Sequence, residues 1–266
     1  MISTATPDFR PLALLPWLAL ALCSAPATQA QTRPLNDTGI TWSGHATSGN
    51  ATTCDSGHPA GQDCHYGRDK AAADGALTKV GASTPNNGVA NGFDYTKIAN
   101  NGSVLPANAA LGSSPGDWAC TRDNVTGLIW EVKTTSGLRS QAHTYSWYMT
   151  GSPDGNAGTA SGGTCETEGR CDTEKYVADV NATNLCGHTD WRMPTVKELE
   201  GIADLGRSNP AIDPTYFPNT PSSYVWSGSP NAGYSSYAWN VNFGYGNAND
   251  GLRSSSSRVR LVRAGQ

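Results

Sequence analysis

The chain has 266 residues, a formal net charge of −4 and only 15% charged residues. Its basic residues are dispersed, whereas a nucleic-acid groove needs a basic face, so that partner class is set aside. The length suffices for one large domain, or for a domain with an N-terminal extension.

Arg10 precedes an apolar run from Leu12 to Leu22, and small residues follow up to Ala30. That is the pattern of a secretory signal over 1–30, with cleavage near Ala25 to Ala30. A bilayer takes about 20 apolar residues, and neither this run nor any later stretch is long enough for a transmembrane helix. The expectation is an exported protein, periplasmic, on the cell surface or secreted. Cys23 ends the run behind Leu22, where lipoprotein signals favour a small residue, so a lipid anchor at Cys23 is disfavoured. Six further cysteines remain: Cys54, Cys64, Cys120, Cys165, Cys171 and Cys186. An even number in an exported chain points to disulfides. The close pairs Cys54/Cys64 and Cys165/Cys171 would pin loops, which leaves Cys120 and Cys186 to join distant elements.

Residues 31–90 are rich in Gly, Thr, Ala and Asn, with few large apolar side chains. They read as a loosely packed segment stapled by Cys54 and Cys64. His45, Cys54, His58, Cys64 and His65 are residue types that zinc accepts, but their spacing matches no common finger, and an oxidising compartment favours the disulfide. A local echo links Thr38-Gly39-Ile40-Thr41-Trp42 to Thr126-Gly127-Leu128-Ile129-Trp130, each a turn feeding a strand.

Residues 91–266 carry stronger periodicity. Leu128–Val132 reads as a strand after the Asp123-Asn124 turn. A helix is predicted over 173–186, with Tyr176, Val177, Val180, Ala182 and Leu185 near helical spacing and Asp172 or Thr173 as its cap. A second is predicted over 195–205: Thr195 and Glu198 form a capping box, and Val196, Leu199, Ile202 and Leu205 line one face. The Ser/Gly-rich segment 151–164 is a surface loop to which the sequence assigns no role. Short strands follow at Tyr224–Ser227, Ala238–Phe243 and Arg258–Val262. Helices followed by an antiparallel strand set indicate an α+β class. Both helices should pack on strands that include Trp130, Trp226 and Trp239.

Signatures of catalysis and cofactor binding are weak, so no cofactor, no metal and no enzyme activity is expected. Gly112-Ser113-Ser114-Pro115-Gly116 matches the nucleophile-elbow pattern, but its oxyanion hole needs an N–H that Pro115 lacks. His188 and Asp190 read as a polar turn. Asp250 with Asn247 and Asn249 offers oxygen ligands for calcium, but with a single carboxylate. Gly244–Asn249 lacks the last glycine of a dinucleotide loop.

From Gly228 to Ser257, Ser, Asn, Gly and Tyr fill 20 of 30 places. Tyr with Ser, Gly and Asn is the mixture of antibody loops, where Tyr gives rigid contact area and the small residues adapt. The bulky Trp226, Trp239, Val241, Phe243, Val259, Leu261 and Val262 are spaced as a strand framework. The candidate ligand-binding positions are Asn231, Tyr234, Ser235, Ser236, Tyr237, Tyr245, Asn247, Ala248, Asn249, Asp250, Gly251, Leu252, Ser254, Ser255, Ser256 and Ser257. They are expected to share one solvent-facing surface, with Tyr234, Tyr237, Tyr245 and Leu252 near one another.

Several strings resemble the Lcl C-terminal domain family: Thr126–Trp130, Asn184–Thr195 with Glu198-Leu199, Tyr224–Ser227, Ala238–Phe243 and Arg258–Arg263. The DWRMPT-to-EL string is the most specific. The resemblance implies a C-type-lectin-like fold, with two helices, a small mixed sheet and long irregular loops, and an exported binding or adhesion module. The C-terminus also resembles the variable protein of a diversity-generating retroelement, whose template-directed mutagenesis scatters adenine-rich Asn codons into many residues. Lys, Glu, Gln, Met and Trp cannot be reached from AAC, and none occupies a loop position between Gly228 and Ser257. That likeness implies a diversified surface for an unknown protein or glycan ligand. Rival readings are a structural or carbohydrate-binding adhesin of fixed specificity, and an enzyme on the same fold. A relative on that fold that oxidises cysteine in sulfatases uses cysteines near its C-terminus, and this chain has none after Cys186.

Overall fold

The computed structural model describes residues 35–45, 47, 49–51, 59, 61–62, 65–77, 79–80 and 92–265. The predicted leader, Cys23, His58 and the Cys54–Cys64 bridge lie outside the described residues. In chain order come β1 (Ser43–His45), β2 (Gly49–Ala51), α1 (Arg68–Ala73), β3 (Tyr95–Ala99), β4 (Val104–Leu105), β5 (Trp118–Asp123), β6 (Leu128–Glu131) and β7 (Tyr145–Ser146). Then follow α2 (Thr173–Ala182), a 3-10 turn at Leu185–Gly187, α3 (Val196–Glu200), β8 (Tyr224–Pro230), β9 (Tyr237–Asn242), β10 (Asn247–Leu252), β11 (Ser256–Val259) and β12 (Val262–Ala264). The content is 11% helix and 29% strand, an α+β class as predicted.

β1 and β2 form a small hairpin, and the other strands form two five-stranded sheets, ordered β12-β6-β5-β3-β4 and β10-β9-β8-β11-β7. The predicted strand Arg258–Val262 is in fact two. β11 runs parallel to β8 through Val259↔Trp226, and β12 pairs with β6 through Val262↔Trp130. The chain changes sheet between them, at the buried Arg260 and Leu261.

Side-chain alternation sorts the core into two clusters. One gathers Ile98, Cys120, Trp147, Tyr176, Val180, Trp191, Trp226 and Leu261. The other gathers Tyr95, Trp130, Leu199, Ile212, Phe217, Val225, Val241 and Val262. The predicted packing therefore divides: α2 meets Trp226, α3 shares a cluster with Trp130, and Trp239 is half-buried. Two predicted bridges are present, Cys120–Cys186 with α-carbons 6.5 Å apart and Cys165–Cys171 at 5.4 Å.

Both helices are shorter than predicted. Asp172 caps α2 by accepting from the Lys175 amide at 2.9 Å, but Asn184 adopts a left-handed φ of 53° and ends the helical path before Leu185. Thr195 and Glu198 complete the capping box of α3, which stops at Gly201. Beyond it the Ile202 and Ala203 amides reach back only three residues, and the Asp204 and Leu205 amides turn to Ala211 and Thr38. Tertiary partners replace the helical ones. β3 and β5 escaped the sequence reading because nearly every residue in them is buried, which erases the alternation that marks a half-exposed strand.

The turn before β6 shows why Thr-Gly-Leu recurs. Asp123 accepts from the Val125 amide at 2.9 Å and from the Thr126 hydroxyl at 2.7 Å, and Gly127 takes φ 71°. In the echo, Asp37 accepts from the Gly39 amide at 2.9 Å and Gly39 takes φ 76°. The two turns are joined directly, since Asn36 donates to Asp123 at 2.9 Å.

Candidate functional site

The Ser/Asn/Tyr-rich segment folds as a hairpin with a turn at each end. β9 and β10 pair antiparallel without interruption, from Asn242↔Asn247 to Tyr237↔Leu252. Residues directly opposite share a face and neighbours alternate. Tyr237, Trp239, Ala248, Asp250 and Leu252 therefore lie on the Val241 face, and Asn247, Asn249 and Gly251 on the Trp226 face.

This alternation corrects the expectation of one shared surface. A strand cannot show six consecutive side chains to one ligand. Gly251 is hemmed in, since a Cβ there would meet Trp226 and the Asn240 side chain at 3.0 Å. The calcium grouping also fails, because Asp250 points opposite to Asn247 and Asn249 and accepts from the Asn231 side chain at 2.7 Å.

Tyr234, Tyr237 and Leu252 do gather at one end. The Tyr234 and Tyr237 rings are 5.9 Å apart and edge-on, and Leu252 lies opposite Tyr237. Tyr234 is 67% exposed and Leu252 44% exposed. Tyr245 is equally open at 69%, but it sits in the turn at the other end of the hairpin, where the next residue, Gly246, lies against Leu205. At about 3.3 Å per residue, the length of β10 separates it from Leu252. Of the serines, Ser235, Ser236, Ser254, Ser255 and Ser256 are exposed and Ser257 is half-buried, and Ser256 and Ser257 pair with Ser146 and Tyr145 of β7. The Ser256 hydroxyl donates to the Gly162 carbonyl at 2.9 Å.

The residue that holds the exposed end together is Arg253, which sequence reasoning missed. It is buried, and its guanidinium lies 4.1 Å from the Trp147 ring centroid. Its Nε donates to the Tyr237 carbonyl at 3.1 Å, Nη2 to Asp154 at 2.5 Å, and Nη1 to the Asn156 carbonyl. Its backbone amide donates to Ser236 at 2.9 Å. Hydrogen bonds from Arg253 hold the Asp154 carboxyl well below the usual carboxylate range. The loop 151–164 thus acquires a role: through Asp154 and Asn156 it braces the Tyr234–Tyr237 turn, and the Asn156 side chain donates to the Ser235 carbonyl at 2.9 Å. A lone Arg in a serine-rich stretch was the available signal.

The DWRMPT-to-EL string folds into the support beneath this hairpin. Asp190 accepts from Arg263 at 2.7 Å, and Trp191 is buried with its indole donating to the Leu185 carbonyl at 3.1 Å. Arg192 forms a two-pronged pair with Glu198 at 2.8 and 2.6 Å. Gly228 approaches so closely that a Cβ would lie 2.9 Å from Met193, and its amide donates to the Pro194 carbonyl at 2.7 Å.

The family description that matches is the Lcl C-terminal domain, over residues 119–263, more than half of the chain. The chain belongs to the Lcl C-terminal domain family. The matched span runs from β5 to β12 and so includes the Arg253 clamp, the DWRMPT support and both described disulfides. No curated protein matches the chain. Among the described residues no cluster of three metal-ligating side chains occurs and no helix is long and apolar enough to cross a membrane. The two disulfides fit a non-cytoplasmic compartment.

Proposed function

We propose that this Lcl C-terminal domain protein is an exported, non-catalytic binding protein, receptor- or adhesin-like. On this reading its C-terminal hairpin displays a diversified contact surface to a protein or glycan at a cell surface. The observation that carries it is exposed Tyr234 and Leu252, flanking half-buried Tyr237, on a turn whose backbone is fixed from below by buried Arg253. Exposed aromatic area on a held backbone costs little ordering entropy on binding, which is the logic of a matured paratope. Tyr234, Ser235, Ser236, Tyr237, Asp250 and Leu252 form the centre of the contact, with Asn231 and the outward serines at its rim. Tyr245 belongs to a separate patch.

Family membership supports a binding module; the C-type-lectin-like architecture and the diversification belong to this proposal. The DNA around the gene tests the diversification. A near-copy of the 3′ end differing only at adenines, beside a reverse transcriptase gene, is the expected finding. An isolated gene with no such template leaves a binding protein of fixed specificity. Binding itself is tested on glycan and cell-surface protein arrays with the wild type and Tyr234→Ala. A signal lost in the variant is expected, and a signal unchanged by it removes this face from the reading.

A further inference from the structure

We propose that β10 is a self-association edge, through which two copies of this chain pair antiparallel into one continuous sheet. In an antiparallel ladder the N–H and C=O of a residue point to the same side, and alternate residues point to opposite sides. The Tyr237 amide donates to Tyr234 at 2.9 Å, its carbonyl accepts from Asn231 at 3.1 Å, and the Phe243 amide donates to Ser223 at 3.0 Å. The Trp239 carbonyl accepts from the Ser227 hydroxyl at 2.7 Å. Odd-numbered residues of β9 therefore aim their main chain at β8, and Ala238, Asn240 and Asn242 aim theirs at β10. The register then turns Gly251, Asn249 and Asn247 back toward β9. The amides and carbonyls of Ala248 and Asp250 are left pointing away from the sheet.

The other sheet edges are short or covered. β12 is bridged by Arg192, whose amide donates to Val262 at 2.9 Å and whose carbonyl accepts from Val262 at 3.0 Å. β7 is covered where the Ser146 amide donates to Cys171 at 3.2 Å, and β4 is only two residues long. β10 has six residues in unbroken register. Edges are commonly guarded by Lys, Pro or a bulge, and β10 has none of these. Its one charge, Asp250, is held by Asn231.

A second copy fits this edge better than an unrelated strand. Pairing Ala248 of one copy opposite Asp250 of the other satisfies all four outward groups on each side and sets Asn249 against Asn249 on a two-fold axis. Each carboxylate then faces an alanine methyl. The same axis brings Leu252 of one copy alongside the Tyr245 turn of the other, covering two exposed apolar side chains that lie at opposite ends of the strand, 44% and 69% exposed. The axis is perpendicular to the sheet, so both Tyr237 faces look to the same side. Two weak sites would then act together on one surface.

An edge pairing of this length buries less than a standard interface, so a concentration-dependent equilibrium is expected rather than a permanent dimer. In sedimentation runs over a wide concentration range, the weight-average mass of the mature chain should climb toward twice the monomer value. Ala248→Pro and Asp250→Pro each remove an outward N–H and should stay monomeric. Their melting temperature should match wild type, because neither amide serves the β9–β10 ladder. In the wild type, amide exchange at Ala248 and Asp250 should slow as concentration rises, whereas exchange at Trp239 should not change. A wild type that is monomeric throughout, a dimer that survives both prolines, or exchange at Ala248 and Asp250 indifferent to concentration overturns the proposal. If the prolines unfold the protein, the exchange measurement alone decides. Failure here leaves the ligand-binding reading intact: Asp250 and Leu252 figure in both, but that reading stands on Tyr234 and Tyr237, which the pairing does not use.

Discussion

Arg253 and Trp147 hold each other twice: the guanidinium lies 4.1 Å from the indole centroid, and the Trp147 amide donates to the Arg253 carbonyl at 3.0 Å. Trp147 is itself fixed by its indole N–H, which donates to the Ser227 carbonyl in β8 at 2.8 Å. A position on the displayed hairpin is therefore anchored in the core through one aromatic ring. This explains how a segment so rich in Gly, Ser and Asn keeps a defined backbone.

The clamp predicts a large loss for a residue that contacts no ligand. Arg253→Ala removes a buried, packed cation and leaves the Asn156 carbonyl without its donor, a class of change that costs about 1–3 kcal/mol. Arg253→Lys keeps the charge but not the planar fork, and should recover only part of it. Urea unfolding of both variants is the measurement. An Arg253→Ala midpoint equal to wild type would show that the loop and the turn hold without the clamp.

The exposed tyrosines should behave in the opposite way. Tyr234→Ala and Tyr245→Ala, singly or together, should change stability by no more than about 0.5 kcal/mol, as for other surface positions away from packed features. Ligand binding should fall sharply for Tyr234→Ala and change little for Tyr245→Ala, because the hairpin holds them at opposite ends. Thermal melts paired with array binding separate the two effects. Equal loss of binding in both single variants would restore a single large surface.

How far the sequence could be read follows from what each signal measures. The capping box at Thr195 and Glu198 is local chemistry, and it forms as written. The end of that helix depends on Ala211, beyond the next turn, and on Thr38, distant in sequence, so periodicity carried the prediction past Gly201 to Leu205. Close spacing marked Cys165–Cys171, and Cys120–Cys186 followed as the pair left over. β10 was invisible, because Asn-Ala-Asn-Asp-Gly-Leu has poor strand propensity and is held extended by pairing with β9. The display surface was half legible. Composition marked the right segment but could not tell that alternation turns Gly251 toward Trp226.

Glu198 gives a prediction in pH. Burial alone would raise its carboxyl, but hydrogen bonds from Arg192 and from the Thr195 amide outweigh burial and hold it below the ordinary value of 4.5. A depressed folded value means that this stabilisation is present above the unfolded value and is lost as pH falls through the folded one. Glu198→Gln can still cap the helix but loses the charged fork to Arg192, so it should cost about 1 kcal/mol at neutral pH. The difference between wild type and variant should shrink as pH drops below about 4.5, the unfolded glutamate range. Denaturant midpoints measured from neutral pH down to acid check this, and a constant difference would mean that the charge of Glu198 contributes nothing.

A carboxylate is sealed in the core beside two cations. Glu131 is fully buried; it accepts from Lys133 at 2.9 Å, from the Leu261 amide at 2.9 Å, and from the Tyr176 hydroxyl. Lys133 also donates to Tyr176 at 2.7 Å. Burial pushes the Lys133 ammonium down to about 8 and Arg260 nearby down to about 10, so both cations depend on Glu131 for compensation. Glu131→Leu would leave Lys133 buried without its carboxylate, and should cost about 3–5 kcal/mol. Adding Lys133→Met to that variant removes the stranded charge, so the double variant should be more stable than Glu131→Leu alone. The coupling, read from urea midpoints of the two single variants and the double, should reach about 1 kcal/mol or more for residues in one network. Purely additive losses would show that the two side chains contribute only packing volume, and that the crossing from β11 to β12 is held by its apolar neighbours.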